Sequence, residues 1–133
     1  MENLVYFIVG LVGFAILIVV FVVIKRLKNK LTAEEKKYYR QKWQEIQNEK
    51  DYRNALLTAD KLLEKVMRRK GYRGSLGEML KKGKKEFSDL NSVWYAHKIR
   101  NKLAHELDYQ LSPKEAQKGL RSFQKALCEL GAL

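Results

Sequence analysis

Hydrophobic positions are distributed in two quite different ways along this chain. From Leu4 to Ile24 no residue is charged and nearly all are apolar. At 1.5 Å of rise per residue this run makes a helix of about 30 Å, the thickness of a bilayer's hydrocarbon core. Beyond residue 24 apolar side chains recur instead at helical spacing. Tyr39, Trp43 and Ile46 or Gln47 form a thin stripe, and Leu56, Ala59, Leu63, Val66 and Met67 form a broad one. Val93, Ala96, Ile99 or Arg100, and Leu103 outline a third face. Ala116, Leu120, Phe123, Leu127 and Leu130 outline a fourth. Intervals of three and four residues are those of one helix face turned to a core. No run alternates at period two, so no sheet is expected. The pattern predicts an all-α chain: a single N-terminal transmembrane helix, then a small cytoplasmic bundle of four to five helices.

Start and stop signals sharpen the boundaries. Thr32-Ala33-Glu34-Glu35, Ser75-Leu76-Gly77-Glu78 and Ser112-Pro113-Lys114-Glu115 each read as a capping box. In such a box a hydroxyl and a glutamate satisfy helix-end amides reciprocally, and in the third the only proline occupies the first helical position. Asp51 and Asp89 are further candidate caps, and Gly71, after Arg68-Arg69-Lys70, is a candidate stop. A short helix over about 76–82 is weakened by Gly77 and Gly83. Three regions follow: residues 1–24 as anchor, 25–50 as basic juxtamembrane segment and polar helix, and 51–133 as the bundle. The polar helix is either a stalk or the first helix of the bundle.

Charge adds orientation. Lys25, Arg26, Lys28 and Lys30 follow the apolar run, and only Glu2 is charged before it. A cleaved signal peptide would show a basic start and a small-residue cleavage site, and neither is present. The positive-inside rule puts the N-terminus outside and the bulk of the chain in the cytoplasm. The 27 basic and 15 acidic residues give a net +12, all of it beyond the apolar run. A domain of that charge is drawn to polyanions, whether nucleic acid or an anionic leaflet. Cys128 is the only cysteine, which leaves no disulfide framework and no thiolate cluster; it is expected as a small buried group. Two histidines eight apart do not make a metal site, and no phosphate-cradling glycine loop occurs, so neither metal nor cofactor is expected.

The densest chemistry lies in Ala96-His97-Lys98-Ile99-Arg100-Asn101-Lys102-Leu103-Ala104-His105-Glu106. On a helix Asn101 and His105 share a face, with His97 one turn earlier. Cleaving RNA without a metal needs a group that titrates near neutrality, as histidine does, and a fixed donor for phosphoryl charge, as arginine is. Arg100, Asn101 and His105 form a sufficient set, and His97 is read as structural. Lys98, Lys102, Arg68, Arg69, Lys70 and Arg73 are candidate polyanion-binding residues. Each also has a plainer reading: Arg100 paired with a bundle carboxylate such as Asp60 or Glu64, His105 favoured by the helix dipole, and the basic runs as solvated faces.

Arg100-Asn101-Lys102-Leu103-Ala104-His105 resembles the Arg-x(4–6)-His motif of HEPN domains (higher eukaryotes and prokaryotes nucleotide-binding). The likeness extends over about 51–133, a helical bundle with the motif near the end of its penultimate helix. One toxin branch of that family carries tyrosine two residues after the histidine, where this chain has Leu107. The resemblance implies a metal-independent endoribonuclease, often a homodimer through the motif helix, with Arg100 on phosphate and His105 in acid–base work. Other members are non-catalytic, which implies the alternative of a membrane-tethered adaptor for a protein partner, nucleic acid or anionic lipid.

Overall fold

A computed structural model describes residues 1–133 and divides them into two compact units, 1–30 and 31–133. The first unit is one helix, α1 (Glu2–Lys28), with no buried residue. It runs one turn beyond the apolar stretch, so Lys25, Arg26 and Lys28 are its last-turn residues, where cations complement the helix dipole. The helix is long and apolar enough to cross a membrane.

The second unit is all α-helical. It comprises α2 (Ala33–Asn48), α3 (Tyr52–Arg69), α4 (Leu76–Lys82), a single 3-10 turn (Lys84–Glu86), α5 (Leu90–His105) and α6 (Pro113–Glu129). All three capping boxes form, at Thr32, Ser75 and Ser112, and the carboxylates of Asp51 and Asp89 accept from the amides of Arg53 and Ser92. Gly71 and Gly131 adopt φ of +100° and +76° just past α3 and α6. In both cases the next residue donates back into the last turn, Tyr72 to Met67 and Ala132 to Leu127, closing the orphan carbonyls in Schellman fashion.

Helix α3 is the hub, packing against α2, α4, α5 and α6, and α5 also packs along α6. Leu56, Leu63, Met67, Met79, Leu80, Leu103, Phe123 and Leu127 are fully enclosed between them. Gly119 sets how close α6 comes: a Cβ there would stand 2.8 Å from Leu56 Cδ2 and 3.8 Å from Ala96 Cβ.

One alternative is decided and two expectations change. Tyr39, Trp43 and Ile46 are buried, so α2 is the first bundle helix rather than a stalk. The division expected near residues 24 and 50 becomes one at 30. The reason is that three large side chains bury far more apolar surface than a solvent-bridging helix offers. Cys128 is exposed, because Phe123, Ala126, Leu127 and Leu130 already fill the inward arc of α6.

Candidate functional site

Helix α5 owes its place to Asp89, whose carboxylate caps the first turn, and to Val93, Ala96, Ile99 and Leu103, which seal its inner face. Its polar residues meet a charge that lies within the core. Asp60, in the middle of α3, is 1% exposed and flanked by the buried Ala59, Leu62 and Leu63. A carboxylate taken out of water must be paired and hydrogen-bonded. Here α5 supplies both partners: His97 Nδ1 lies 2.7 Å from Asp60 Oδ1, and Arg100 Nε lies 3.0 Å from Oδ2. The Arg100 contact is an ion pair by distance alone, since the Nε–H does not point along it as a hydrogen bond requires.

Asn101 closes the group. Arg100 Nη1 donates to Asn101 Oδ1 at 3.0 Å, and Asn101 Nδ2 lies 3.3 Å from His97 Nε2. The four side chains therefore form one ring of contacts, from Asp60 through His97 and Asn101 to Arg100 and back. Together with Glu64, Ser75, Leu76 and Gly77 they line a pocket of about 360 Å³ between α3, α5 and the start of α4. Gly77 matters to its shape: a Cβ there would come 3.2 Å from Trp94 Cη2 and 4.0 Å from His97 Nε2. The pocket offers a fixed cation, a primary amide, an imidazole edge and a hydroxyl, beside two carboxylates, Asp60 and Glu64, each paired with an arginine.

Of the motif trio, the structure brings Arg100 and Asn101 together and leaves His105 apart. His105 is the last residue of α5 and is exposed, and it does not line the pocket. The antiparallel run of α3 and α5 explains this. Asp60 meets His97 and Arg100, and the Arg53 guanidinium reaches the Leu103 carbonyl, so His105 falls past the N-terminal end of α3. His97, read from sequence as structural, is held by Asp60 as that reading expects, and it also forms part of the pocket wall. The plainer reading of Arg100, as partner of Asp60, describes its contacts as well.

The basic residues serve mostly local ties. Arg68 pairs with Glu64 at 2.6 Å and donates to the Gly74 carbonyl. Arg69 pairs with Glu35, whose carboxyl it holds below the usual range, and Lys70 Nζ reaches the Leu130 carbonyl at 3.3 Å. Arg73 binds the carbonyls of Arg68 and Tyr72. Arg68 and Arg73 pin the α3–α4 turn, Arg69 and Lys70 tie the end of α3 to α2 and to the end of α6, and the four do not converge into one anion cradle. Lys98 is exposed, and Lys102 Nζ stands 5.4 Å from the centroid of the Tyr109 ring.

Sequence reasoning named Asp60 only as a candidate partner of Arg100, and it did not place Ser75 or Gly77 in the site. The signal for Asp60 was present, since it sits four residues after Leu56 and one after Ala59, on the apolar face of its own helix. A charge at a core position either has a partner or a task. Compared with family models, with curated proteins and with solved structures, the chain matches none.

Proposed function

We propose that residues 31–133 form a membrane-tethered, HEPN-like domain that binds RNA at the Arg100 pocket and cleaves it by metal-independent acid–base chemistry. One observation carries this reading. Arg100 is fixed by a buried carboxylate at the wall of a pocket, beside an amide and an imidazole. A guanidinium held in place needs little reorganisation when charge develops on a phosphoryl oxygen. RNA supplies its own nucleophile, the 2′-hydroxyl, so the protein has only to accept a proton and stabilise the anion. The net charge of +12 favours the encounter with a polyanion. By the positive-inside rule, the cations in the last turn of α1 favour a cytoplasmic domain with the N-terminus outside.

The full chain, reconstituted in zwitterionic nanodiscs with chelator present, is expected to bind single-stranded RNA with affinity falling steeply as salt rises. It is expected to leave 2′,3′-cyclic phosphate ends. Arg100→Gln should lower cleavage about 100-fold or more, as loss of one transition-state donor does. Binding without cleavage would favour the second reading, a tethered adaptor. That reading draws on the same ring of contacts, which ties Arg100, Asn101 and His97 to one another and to Asp60, as a purely structural network would.

A further inference from the structure

We propose that His97, rather than His105, takes the proton in that reaction, and that Asn101 couples the proton's arrival to Arg100. The assignment rests on the RNA-cleaving reading and deepens it.

A proton acceptor has to be held with its lone pair toward the reacting atoms, and its orientation comes from a third group. Asp60 is such a group. A carboxylate only accepts, so His97 Nδ1, 2.7 Å from Oδ1, carries the hydrogen, and Nε2 carries the lone pair. Nε2 accepts from Asn101 Nδ2 at 3.3 Å, while Asn101 Oδ1 accepts from Arg100 Nη1 at 3.0 Å. The ring thus runs in one sense: Arg100 donates to Asn101, Asn101 to His97, and His97 to Asp60. Asp60 touches both the imidazole and the guanidinium, so a single buried carboxylate sets acid–base group and cation side by side at one pocket wall. His97 Nε2 belongs to the pocket wall beside Gly77, where a Cβ would stand 4.0 Å from it. His105 has none of this: it is exposed at the helix end and lies outside the pocket lining.

The chemistry follows from the ring. The 2′-hydroxyl displaces Asn101 Nδ2 from the one lone pair of His97 Nε2 and passes its proton there, O2′ bonds to phosphorus, and the P–O5′ bond breaks. The departing O5′ takes a proton from water, leaving a 2′,3′-cyclic phosphate and a 5′-hydroxyl, and His97 returns its proton to the hydroxide so formed. Protonated Nε2 can no longer accept from Asn101, so the amide turns over and presents Oδ1 to it. That turn puts Nδ2 against Arg100 Nη1, donor against donor, and frees a guanidinium N–H for the phosphoryl oxygen as charge builds there. The groups that bear on His97 in this pocket are Asp60 and Glu64 from α3 and Arg100 from its own helix. The start of α4 contributes only Ser75, Leu76 and Gly77, none of them titratable.

The test uses the full chain in nanodiscs and compares His97→Asn with His105→Ala. Asparagine at 97 keeps an N–H for Asp60 but has no Nε2. Its urea midpoint and its RNA affinity, measured beside the cleavage rate, separate loss of folding or binding from loss of chemistry. Cleavage should fall about 100-fold or more, the usual scale for a lost acid–base group, together with the acid limb of the pH–rate profile. His105→Ala should keep most of the cleavage. Cleavage that survives His97→Asn and is lost in His105→Ala overturns the assignment alone. A wild-type chain that cleaves no RNA overturns the parent reading, and the assignment with it. Nitrogen NMR of the wild-type histidines gives a check that no variant's folding can spoil. The Nδ1–H tautomer at His97 supports the assignment, and the Nε2–H tautomer sinks it.

Discussion

Asp60 carries the largest single-residue expectation in the bundle. Its two oxygens are shared between His97 and Arg100, and removing one member of a buried charged pair leaves the other without compensation. Asp60→Ala should therefore destabilise the bundle by about 3–5 kcal/mol, a large share of the total stability of a domain this size. Urea unfolding followed by tryptophan fluorescence measures it directly, since Trp43 and Trp94, the only tryptophans, both belong to the bundle. An effect below about 1 kcal/mol would mean that Asp60 is not the bonded, buried group described. At this scale the sequence was half legible. Arg100 and Asn101 stand out by chemistry, and Arg100's pairing with Asp60 was among the alternatives weighed. That His105 stands clear of them was not readable, because it depends on where α3 begins relative to the end of α5. Gly119 was silent too: its use is visible only once Leu56 and Ala96 lie opposite.

Elements were the most legible level, because caps and stops are local physics. Thr32, Ser75 and Ser112 each sit three residues before a glutamate, and each closes the box that spacing predicts. Ser112→Ala should cost about 1 kcal/mol, read as a lower urea midpoint with unchanged slope. The same boxes give the bundle an acid dependence. Arg69 and the Thr32 amide hold Glu35 below the ordinary carboxylate range, and the Ser75 and Ser112 groups do the same for Glu78 and Glu115. A carboxyl depressed in the folded state binds protons more readily when unfolded. Its contribution is therefore complete above the ordinary value near 4.5 and is lost as pH falls through the lower folded value. Urea midpoints should stay level down to about pH 5 and then drop; a flat profile to pH 3 would contradict it. The alkaline counterpart is Tyr72, pushed up to about 12 by burial and by its bond to Glu86. Its share of stability is full below about pH 10 and declines as pH rises toward 12. Connections between elements were harder to read. The sequence left α2 open between stalk and bundle, and only the burial of Tyr39, Trp43 and Ile46 decides it.

At the scale of the whole molecule, the two units differ in what solvent they suit. Helix α1 has no buried residue, whereas the second unit encloses a core of its own from Tyr39 to Ala132. Residues 31–133 alone are accordingly expected to fold, with a urea midpoint close to that of the full chain in nanodiscs. A markedly lower midpoint would show that the bundle depends on its anchor. The fold class was legible because neither feature that defines it, an unbroken apolar run and a period near 3.6, needs knowledge of what packs on what. The ligand was not, since +12 speaks for polyanions in general and for none in particular.

The carboxylate of Asp60 has a consequence for how this chain can change over generations. Because one residue fastens both the imidazole and the guanidinium, a lineage with no further use for the pocket would still keep Asp60, His97 and Arg100 to stay folded. Selection for stability alone would preserve the outline of the site long after its chemistry had lapsed. Asn101 carries no such double duty, so drift at that position, with the trio intact, would be the first sign that the pocket had fallen out of use.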